Sequence, residues 1–423
     1  MRARAPARLG TALSSVWTPA LLVSLPQLEQ NESRMRELLH GTGVALRPHA
    51  KAHKSGSFAA WHEERARAAG APLAGFCAQS TPPPHLSPSS SSQPCFHSAH
   101  TVQHTSLCHA ALSEVEALLR SGCTDVLLTN ELPPMATLRL AECAAAHPEA
   151  TVSLLVDCPE HVEALDSAAA VTGATNLGAL VEIECGQQRC GCPPASDMAV
   201  ALAKQLVASE RLRWGGLHVY HGGIQHVRAA AARMAAVNAG PASAAERTVA
   251  RLAQEGISDV PLVTGGGTGT FLQDVAAGTH DEIQPGSYLL MDGDYGDNTD
   301  AAHKGFAQSL YIHTTVVSSD GATGRRVVDA GSKAVDLVSG PPKATSVECA
   351  DLASALGGVT YTSGGDEHGV LHGVPDGVLP VGATLQLVPS HCDPTCNLHD
   401  WLVGVRDGTV EELFEIDARG YKF

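Results

Sequence analysis

The distribution of apolar residues changes character once along the chain. From about residue 44 to residue 291, short β-prone apolar runs alternate with Ala- and Leu-rich segments whose apolar positions recur at helical spacing. Strands are expected at Val44–Leu46, Leu73–Cys77, Asp125–Leu128, Val152–Val156, Leu180–Ile183, Gly216–Val219, Val260–Val263 and Tyr288–Met291. Helices such as Ser113–Arg120, Pro159–Ala170 and Ser196–Ser209 fall between them. About eight βα repeats point to an α/β fold whose parallel sheet closes into a (β/α)8 barrel, although an open doubly wound sheet leaves a similar string. After residue 292 the texture becomes β-prone runs, Leu310–Val317, Arg326–Val328 and Thr384–Val388, broken by Gly-rich turns, as expected of an antiparallel β domain. The early apolar run Ala20–Leu25 is expected to pair into that second sheet. The organisation read from this pattern is a lead-in over 18–35, a barrel over 36–291 and a β domain over 292–423.

One segment breaks the alternation. Thr81 to His104 is rich in Pro, Ser and His, and Ser87 to Ser92 is nearly all serine. Such a composition buries too little apolar area to order itself and reads as a surface insertion in the barrel. Its histidines, His85, His97, His100 and His104, are read as solvated loop residues.

Charge and composition narrow the function classes. A formal net charge of −16 argues against a nucleic-acid partner, because a phosphate-binding surface needs concentrated Lys and Arg. No apolar run reaches the roughly 18–20 residues that span a bilayer, so no membrane partner is expected and a small polar substrate fits better. The twelve cysteines are scattered, which fits reduced thiols in an intracellular protein better than a disulfide framework, and Cys190-Gly191-Cys192 is too tight for a zinc-finger framework. Residues 1–17 carry Arg2, Arg4 and Arg8 without an acidic residue, a composition shared with organellar targeting segments, so both the cytoplasm and an organelle stay open.

Three motifs carry chemistry. Arg47-Pro48-His49-Ala50-Lys51 lies at the end of the first barrel strand, where barrel enzymes place reactive groups. A desolvated Lys51 set among Arg47, His49, His53 and Lys54 is suited to form a Schiff base, although a basic surface turn has the same spelling. Thr264-Gly265-Gly266-Gly267-Thr268-Gly269 follows the strand Val260–Val263, and consecutive glycines let backbone N–H groups converge on a phosphate; a ligand-free turn is the alternative. Barrel closure would bring that loop to Lys51, and a Schiff-base lysine facing a phosphate cup suggests pyridoxal phosphate. In the β domain, His391-Cys392-Asp393 would place His391 and Asp393 on one face of a strand with Cys392 on the other, either to chelate an ion or as a structural polar pair.

Together these residues resemble the fold-type III pyridoxal-phosphate enzymes, which have an alanine racemase-like barrel, and within them the branch of D-threonine aldolases and eukaryotic D-serine dehydratases. The resemblance starts at Thr18-Pro19-Ala20-Leu21-Leu22-Val23 and takes in Leu127-Leu128-Thr129-Asn130-Glu131, Val181-Glu182-Ile183-Glu184-Cys185-Gly186 and Arg189-Cys190-Gly191. It continues through Tyr220-His221-Gly222-Gly223-Ile224-Gln225-His226 and Gln284-Pro285-Gly286-Ser287-Tyr288 to the motif at His391. It implies that Lys51 carries the cofactor. Gly266, Gly267 and Thr268, with Tyr288, would hold its phosphate, and His49, Arg189 and Thr264 would complete its surroundings. Tyr220 and His226 would face the substrate, and His391 with Asp393 would bind a divalent metal. A homodimer is implied as well. Ser24 departs from the branch, where Asp is usual at that position.

Within the branch, dehydratases place cysteine two residues after the metal-binding histidine, whereas aldolases place aspartate, an oxygen ligand that suits manganese or magnesium as well as zinc. Here the residue is Asp393. The resemblance therefore implies a D-threonine aldolase chemistry, cleavage of D-β-hydroxy-α-amino acids such as D-threonine and D-allo-threonine to glycine and an aldehyde, with His226 as the candidate base. The runner-up is dehydration of D-serine to pyruvate and ammonia. A non-catalytic pyridoxal-phosphate carrier would lack the long segment from Asp292 onward, and nothing marks the second-domain tyrosine base that a racemase needs.

Overall fold

In the computed structural model, residues 4–71, 73–79, 109–298 and 303–420 are described. The Pro- and Ser-rich insertion at 81–104 lies outside them. Strand β1 (Ala20–Ser24) opens the chain, followed by β2 (Ala45–Leu46), β3 (Phe76–Ala78), β4 (Asp125–Leu128), β5 (Thr151–Val156), β6 (Leu177–Glu182), β7 (Arg213–Val219), β8 (Val263–Gly265) and β9 (Glu282–Ile283). Strands β2 to β9 form one parallel sheet in the order β2-β9-β8-β7-β6-β5-β4-β3. Its two ends meet: His49 bridges to Cys77, the Cys77 N–H donates to Pro48 O at 3.0 Å and the Ala74 N–H to Leu46 O at 2.9 Å. The alternating pattern thus closes into the expected (β/α)8 barrel.

Period-2 alternation divides each strand between two surroundings. Phe76, Val126, Leu154, Val181, Leu217 and Val263 pack outward against the helices in the larger core. The inward set is of two kinds. Cys77, Leu127, Leu155 and Leu180 make a small apolar cluster on the β3–β6 side. On the other side the register sets Glu182 opposite His218, His218 opposite Thr264, and Thr264 opposite Glu282, a polar ladder across four adjacent strands. Arg47 closes it: Nε donates to Glu282 Oε1 at 2.7 Å, and Nη1 to Asp125 Oδ1 at 2.7 Å. The reach to Asp125 requires Gly75, whose φ is +134° and where a Cβ would sit 2.5 Å from the Arg47 guanidinium.

Two of the expected strands fall elsewhere. Tyr288–Met291 is no strand: the Leu290 and Met291 N–H groups both donate to Ser287 O, closing a turn after Pro285-Gly286. The strand in that place is β9, only two residues long, and its Glu282 hides it from an apolar search. Val260–Val263 shifts to β8, which keeps only Val263 of that run.

The second sheet comprises β1 with β10 (Leu310–Asp320), β11 (Arg325–Val328), β12 (Lys343–Thr345), β13 (Thr360–Ser363), β14 (Gly369–His372), β15 (Thr384–Val388), β16 (Trp401–Arg406) and β17 (Thr409–Glu415). Its main path is β13-β14-β11-β10-β1-β16-β17, with β15 also on β10 and β12 on β15. β1 lies inside it, antiparallel to β10 and parallel to β16. Its core, with Leu21, Val23, Leu310 and Leu385, runs without a break into Phe58, Phe271 and Ile283 of the barrel. Residues 4–17, whose Arg content resembles a targeting segment, are packed into this domain: Leu13 and Val16 are buried with Val403 and Val410, and the Leu13 N–H donates to Gly408 O. Composition registered their arginines and not these two anchors. Among the described residues no helix is long and apolar enough to cross a membrane.

Arg47→Met removes the buried counter-charge of Glu282 while keeping bulk. Breaking a buried ion pair on one side costs about 3–5 kcal/mol. The variant should show a clearly lower urea midpoint with an unchanged slope.

Candidate active site

At the mouth of the barrel the strand ends surround a cleft lined by His49, Lys51, Gln79, Arg189, His218 and Tyr220. Four residues beyond Arg47, a short turn at Ala50–Ala52 presents Lys51 to this cleft. Lys51 Nζ donates to Gln79 Oε1 at 2.7 Å and stands 5.8 Å from the centroid of the Tyr220 ring. The Arg189 guanidinium lies 5.6 Å from the same ring, so two basic side chains stand against Tyr220. Lys54, the neighbouring lysine, has a different fate. It takes φ +53° and buries its ammonium against Glu114 at 2.6 Å, and Glu114 in turn accepts the Gln79 N–H at 2.8 Å. One lysine is spent on holding the residue that positions the other.

The glycine loop forms the opposite wall, with Gly266, Gly267 and Thr268 facing the cleft. Its glycines are required sterically. A Cβ on Gly266 (φ +69°) would meet Asp274 Oδ2 at 2.5 Å, and one on Gly267 would meet Gln225 Oε1 at 2.7 Å. His49 lines the floor. Burial, reinforced by the charge of Lys51, holds it well below the ordinary imidazole range. Its Nε2 pairs with Thr129 Oγ1 at 3.2 Å, and its buried Nδ1 has no partner among the described residues. Beside it stands His218, which burial would lower but Glu182 holds above its ordinary value; His218 Nε2 meets Gln284 Oε1 at 3.1 Å.

The second domain delivers His391 to the rim. The motif is not a strand: His391 is the extended residue before a short helix, Cys392–Cys396. The helical turn still sets His391 Nε2 3.8 Å from Asp393 Oδ2. It does not turn Cys392 away. The buried Sγ lies 3.2 Å from Asp393 Oδ1 and 3.2 Å from Ser287 Oγ, and it shares a possible donor set with Asp292 and His391. Asp292, at the end of the barrel, receives His391 Nδ1 at 3.0 Å and the Cys392 N–H at 2.9 Å. Burial opposes ionisation of His391, but Asp393 and Asp292 outweigh it and hold the imidazole up to about 9.

Besides His391 and Asp393 at the rim, three expected site residues lie away from the cleft lining. Tyr288 is fully buried with its hydroxyl 3.3 Å from His62 Nε2, on the far side of the turn at Ser287–Met291; Ser287 and Tyr295 face the cleft instead. Thr264 sits one layer below, donating to Glu282 Oε1 at 2.8 Å and accepting from Gln284. His226 stands half exposed at the rim, its Nδ1 engaged by Asp294, and its ring is 5.9 Å from Tyr295, which lies 6.4 Å from His391.

Comparison with known proteins gives this constellation a family. Residues 91–294 match the alanine racemase N-terminal domain, and residues 309–405 match the family described as "Putative serine dehydratase domain". A 3-hydroxy-D-aspartate aldolase of Paracoccus denitrificans (strain Pd 1222) is 36% identical over 421 residues, covering 98% of this chain and 95% of the relative. A D-threonine aldolase of Arthrobacter sp. is 36% identical over 417 residues, covering 98% and 96%. The chain belongs to the fold-type III pyridoxal-phosphate aldolases. The crystal structure of D-threonine aldolase from Filomicrobium marinum, 34% identical, superposes with a TM-score of 0.81 over 99% of this chain and all of that one.

This aldolase is an aldehyde-lyase, and its family implies pyridoxal phosphate. The cleft suits that cofactor: a glycine cradle that no side chain could share, an amine opposite it, and a buried imidazole nitrogen left without a partner. Sequence reasoning missed Gln79, His218, Tyr295 and Asp292. No spacing marks them, although Glu182 and His218 are single polar residues at inward positions of otherwise apolar strands, a legible sign of a filled polar interior.

Incubation of this aldolase with pyridoxal phosphate followed by borohydride should fix one cofactor at Lys51 and none at Lys54, because Glu114 holds the second amine. Peptide mapping checks this. Label at Lys54 would show that the buried pair opens and that Lys51 is not the reactive lysine.

Proposed function

We propose that the chain cleaves D-β-hydroxy-α-amino acids to glycine and an aldehyde, with metal activation at His391 and Asp393. The observation that carries the reading is the 3.8 Å approach of His391 Nε2 to Asp393 Oδ2 at the rim of the Lys51 cleft, with Asp292 fixing the other ring nitrogen. A carboxylate on the distal nitrogen is the usual outer partner of a metal-binding histidine. A divalent ion held there would lower the pKa of a bound hydroxyl, and manganese, magnesium or zinc would each serve. Pyridoxal phosphate, when bound, supplies the electron sink for the carbon whose bond is broken.

The chain's own residues do the rest. Lys51 would hold the cofactor, Gly266, Gly267 and Thr268 would take its phosphate, and His49 and Arg189 would complete its surroundings. Tyr220, with Lys51 and Arg189 both against its ring, would close one side of the substrate space. His226, with its Nδ1 fixed by Asp294, is assigned to take the β-hydroxyl proton. Arg228 is bound to Asp294, so this rim cation is already committed. This favours an alkyl over a carboxylate β-substituent, hence D-threonine over 3-hydroxy-D-aspartate. A homodimer is part of the same proposal.

One observation favours a second reading. Cys392 Sγ lies among the same donors, and a thiol ligand is the mark of the dehydratase branch. Dehydration of D-serine to pyruvate is therefore the alternative.

A chelator should stop glycine formation from D-threonine while leaving the cofactor's visible absorption intact, and manganese or magnesium should restore it. Asp393→Ala should mimic chelation, with turnover falling at least a hundredfold and cofactor content unchanged. If Asp393 is dispensable, Cys392 essential and pyruvate the product, the dehydratase reading replaces this one.

A second expectation follows from His391. Below pH 9 the imidazole is protonated, so metal entry must release that proton. Metal affinity should rise with pH, by about tenfold per unit, and level off above pH 9. Calorimetric titration at several pH values checks both the sign and the plateau.

A further inference from the structure

A second group of metal-ligating side chains stands at the same end of the barrel, outside the cleft lining. Glu131 lies just past β4, Asp157 directly follows β5, and Cys190 sits in the loop that leaves β6. An oxygen of Glu131, an oxygen of Asp157 and the Cys190 Sγ lie within 4.8 Å of one another. Cys158 and His161, at the start of the helix after β5, form a second such group with the same Asp157. Two thiols, one imidazole and two carboxylates thus converge from the ends of three consecutive strands.

The arrangement is held from outside. The Cys192 N–H donates to Glu182 O and the Glu184 N–H to Cys192 O, both at 3.0 Å, which pins both ends of the loop. Within it, the Gly186 and Gln188 N–H groups both donate to Glu184 Oε1 at 2.7 Å. Gly191, with φ +99°, approaches the backbone so closely that a Cβ would lie 2.6 Å from Glu184 N, and its own N–H donates to Asp157 Oδ2 at 3.0 Å. Asp157 Oδ1 meets His161 Nδ1 at 3.0 Å. Glu131 Oε1 is shut off from water and has no hydrogen-bond partner among the described residues. Burial raises Glu131, and the carboxylates of Glu182 and Asp157 raise it further; burial and Glu131 likewise push the Cys190 thiol up to about 12. Three acidic donors are thus packed within 4.8 Å of one another, and a divalent cation would favour the ionised form of each.

We propose that Glu131, Asp157 and Cys190 bind a divalent cation of the zinc class, separate from the His391 site, with Cys158 and His161 flanking it. Mixed thiolate and carboxylate donors, with an imidazole at hand, select zinc-like ions over magnesium or calcium, and three protein ligands leave a fourth position open. Occupancy ties the loop to the ends of β4 and β5. The residue before Cys190 is Arg189, which stands over Tyr220 in the cleft, so the ion acts as a positioning element for that arginine.

Cobalt(II) is a suitable probe, because thiolate ligation gives an intense near-ultraviolet charge-transfer band. The full chain carrying His391→Ala and Asp393→Ala, which removes the other candidate site, should still bind one equivalent of cobalt with that band. Adding Cys190→Ser should abolish the band, whereas adding Cys392→Ser should leave it. No cobalt binding by the double variant, or a band that follows Cys392 or any other thiol, would overturn the proposal. Glu131→Gln keeps the shape of the side chain and serves if Cys190→Ser is poorly folded. It should weaken cobalt binding at least tenfold, and an unchanged affinity also overturns the site.

Discussion

Everything in the cleft depends on one buried cation. Arg47 donates to Glu282 on β9, the neighbour of β2 on one side, and past β3 to Asp125 on β4 on the other, and so ties β2 into the barrel from both directions. A guanidinium suits this task, since its fork can serve two carboxylates at once and stays charged when desolvated. β2 itself is only two residues long, too short for ladder hydrogen bonds to fix its register alone. With Arg47 in place, Lys51 emerges four residues later at a set height, and Gln284, two residues beyond Glu282, reaches His218 from the other side. The polar ladder Glu182–His218–Thr264–Glu282 extends the same constraint around half of the barrel, so the chemistry at the mouth rests on a charged interior and not on an oily one.

The two domains are joined at the reacting end by a comparable device. Asp292 closes the barrel segment and accepts from both His391 and the Cys392 backbone, while the Gly293 and Asp294 N–H groups donate to Pro389 and Ser390 O. A carboxylate that orients an imidazole is also the hinge point of the domain contact. Changes at Asp292 would therefore disturb ligand geometry and domain docking together, and the two effects would not add independently.

What the sequence made legible follows from what side chains signal. Apolar strands with a plain pattern were readable: β4 and β15 occupy the expected residues, and the closed barrel with its appended sheet follows from the alternation. Lys51 and the glycine loop, far apart in sequence, line one cleft. Polar short strands were not readable, which is why β9 escaped and the apolar turn at Tyr288–Met291 took its place. Tyr288 then pointed to His62 and the core, not to the cleft. The spacing of His391 and Asp393 brought them together, but through a helical turn, and that turn is why Cys392 stays among the donors. Gln79, Tyr295 and Asp292 reach the site only through tertiary closure, and no local pattern announces such residues.

The position of β1 bears on how the chain is made. It is an interior strand of the second sheet, yet both of its neighbours, β10 and β16, are encoded after the entire barrel. During synthesis at about 5–20 residues per second, the apolar Ala20–Ser24 segment therefore waits on the order of tens of seconds for a partner edge. Until β10 and β16 have been made, β1 has no partner in its own sheet and its backbone groups stay open to other strands. For this molecule the interval between the first strand and its partners is the period of greatest exposure to aggregation and of greatest need for a chaperone.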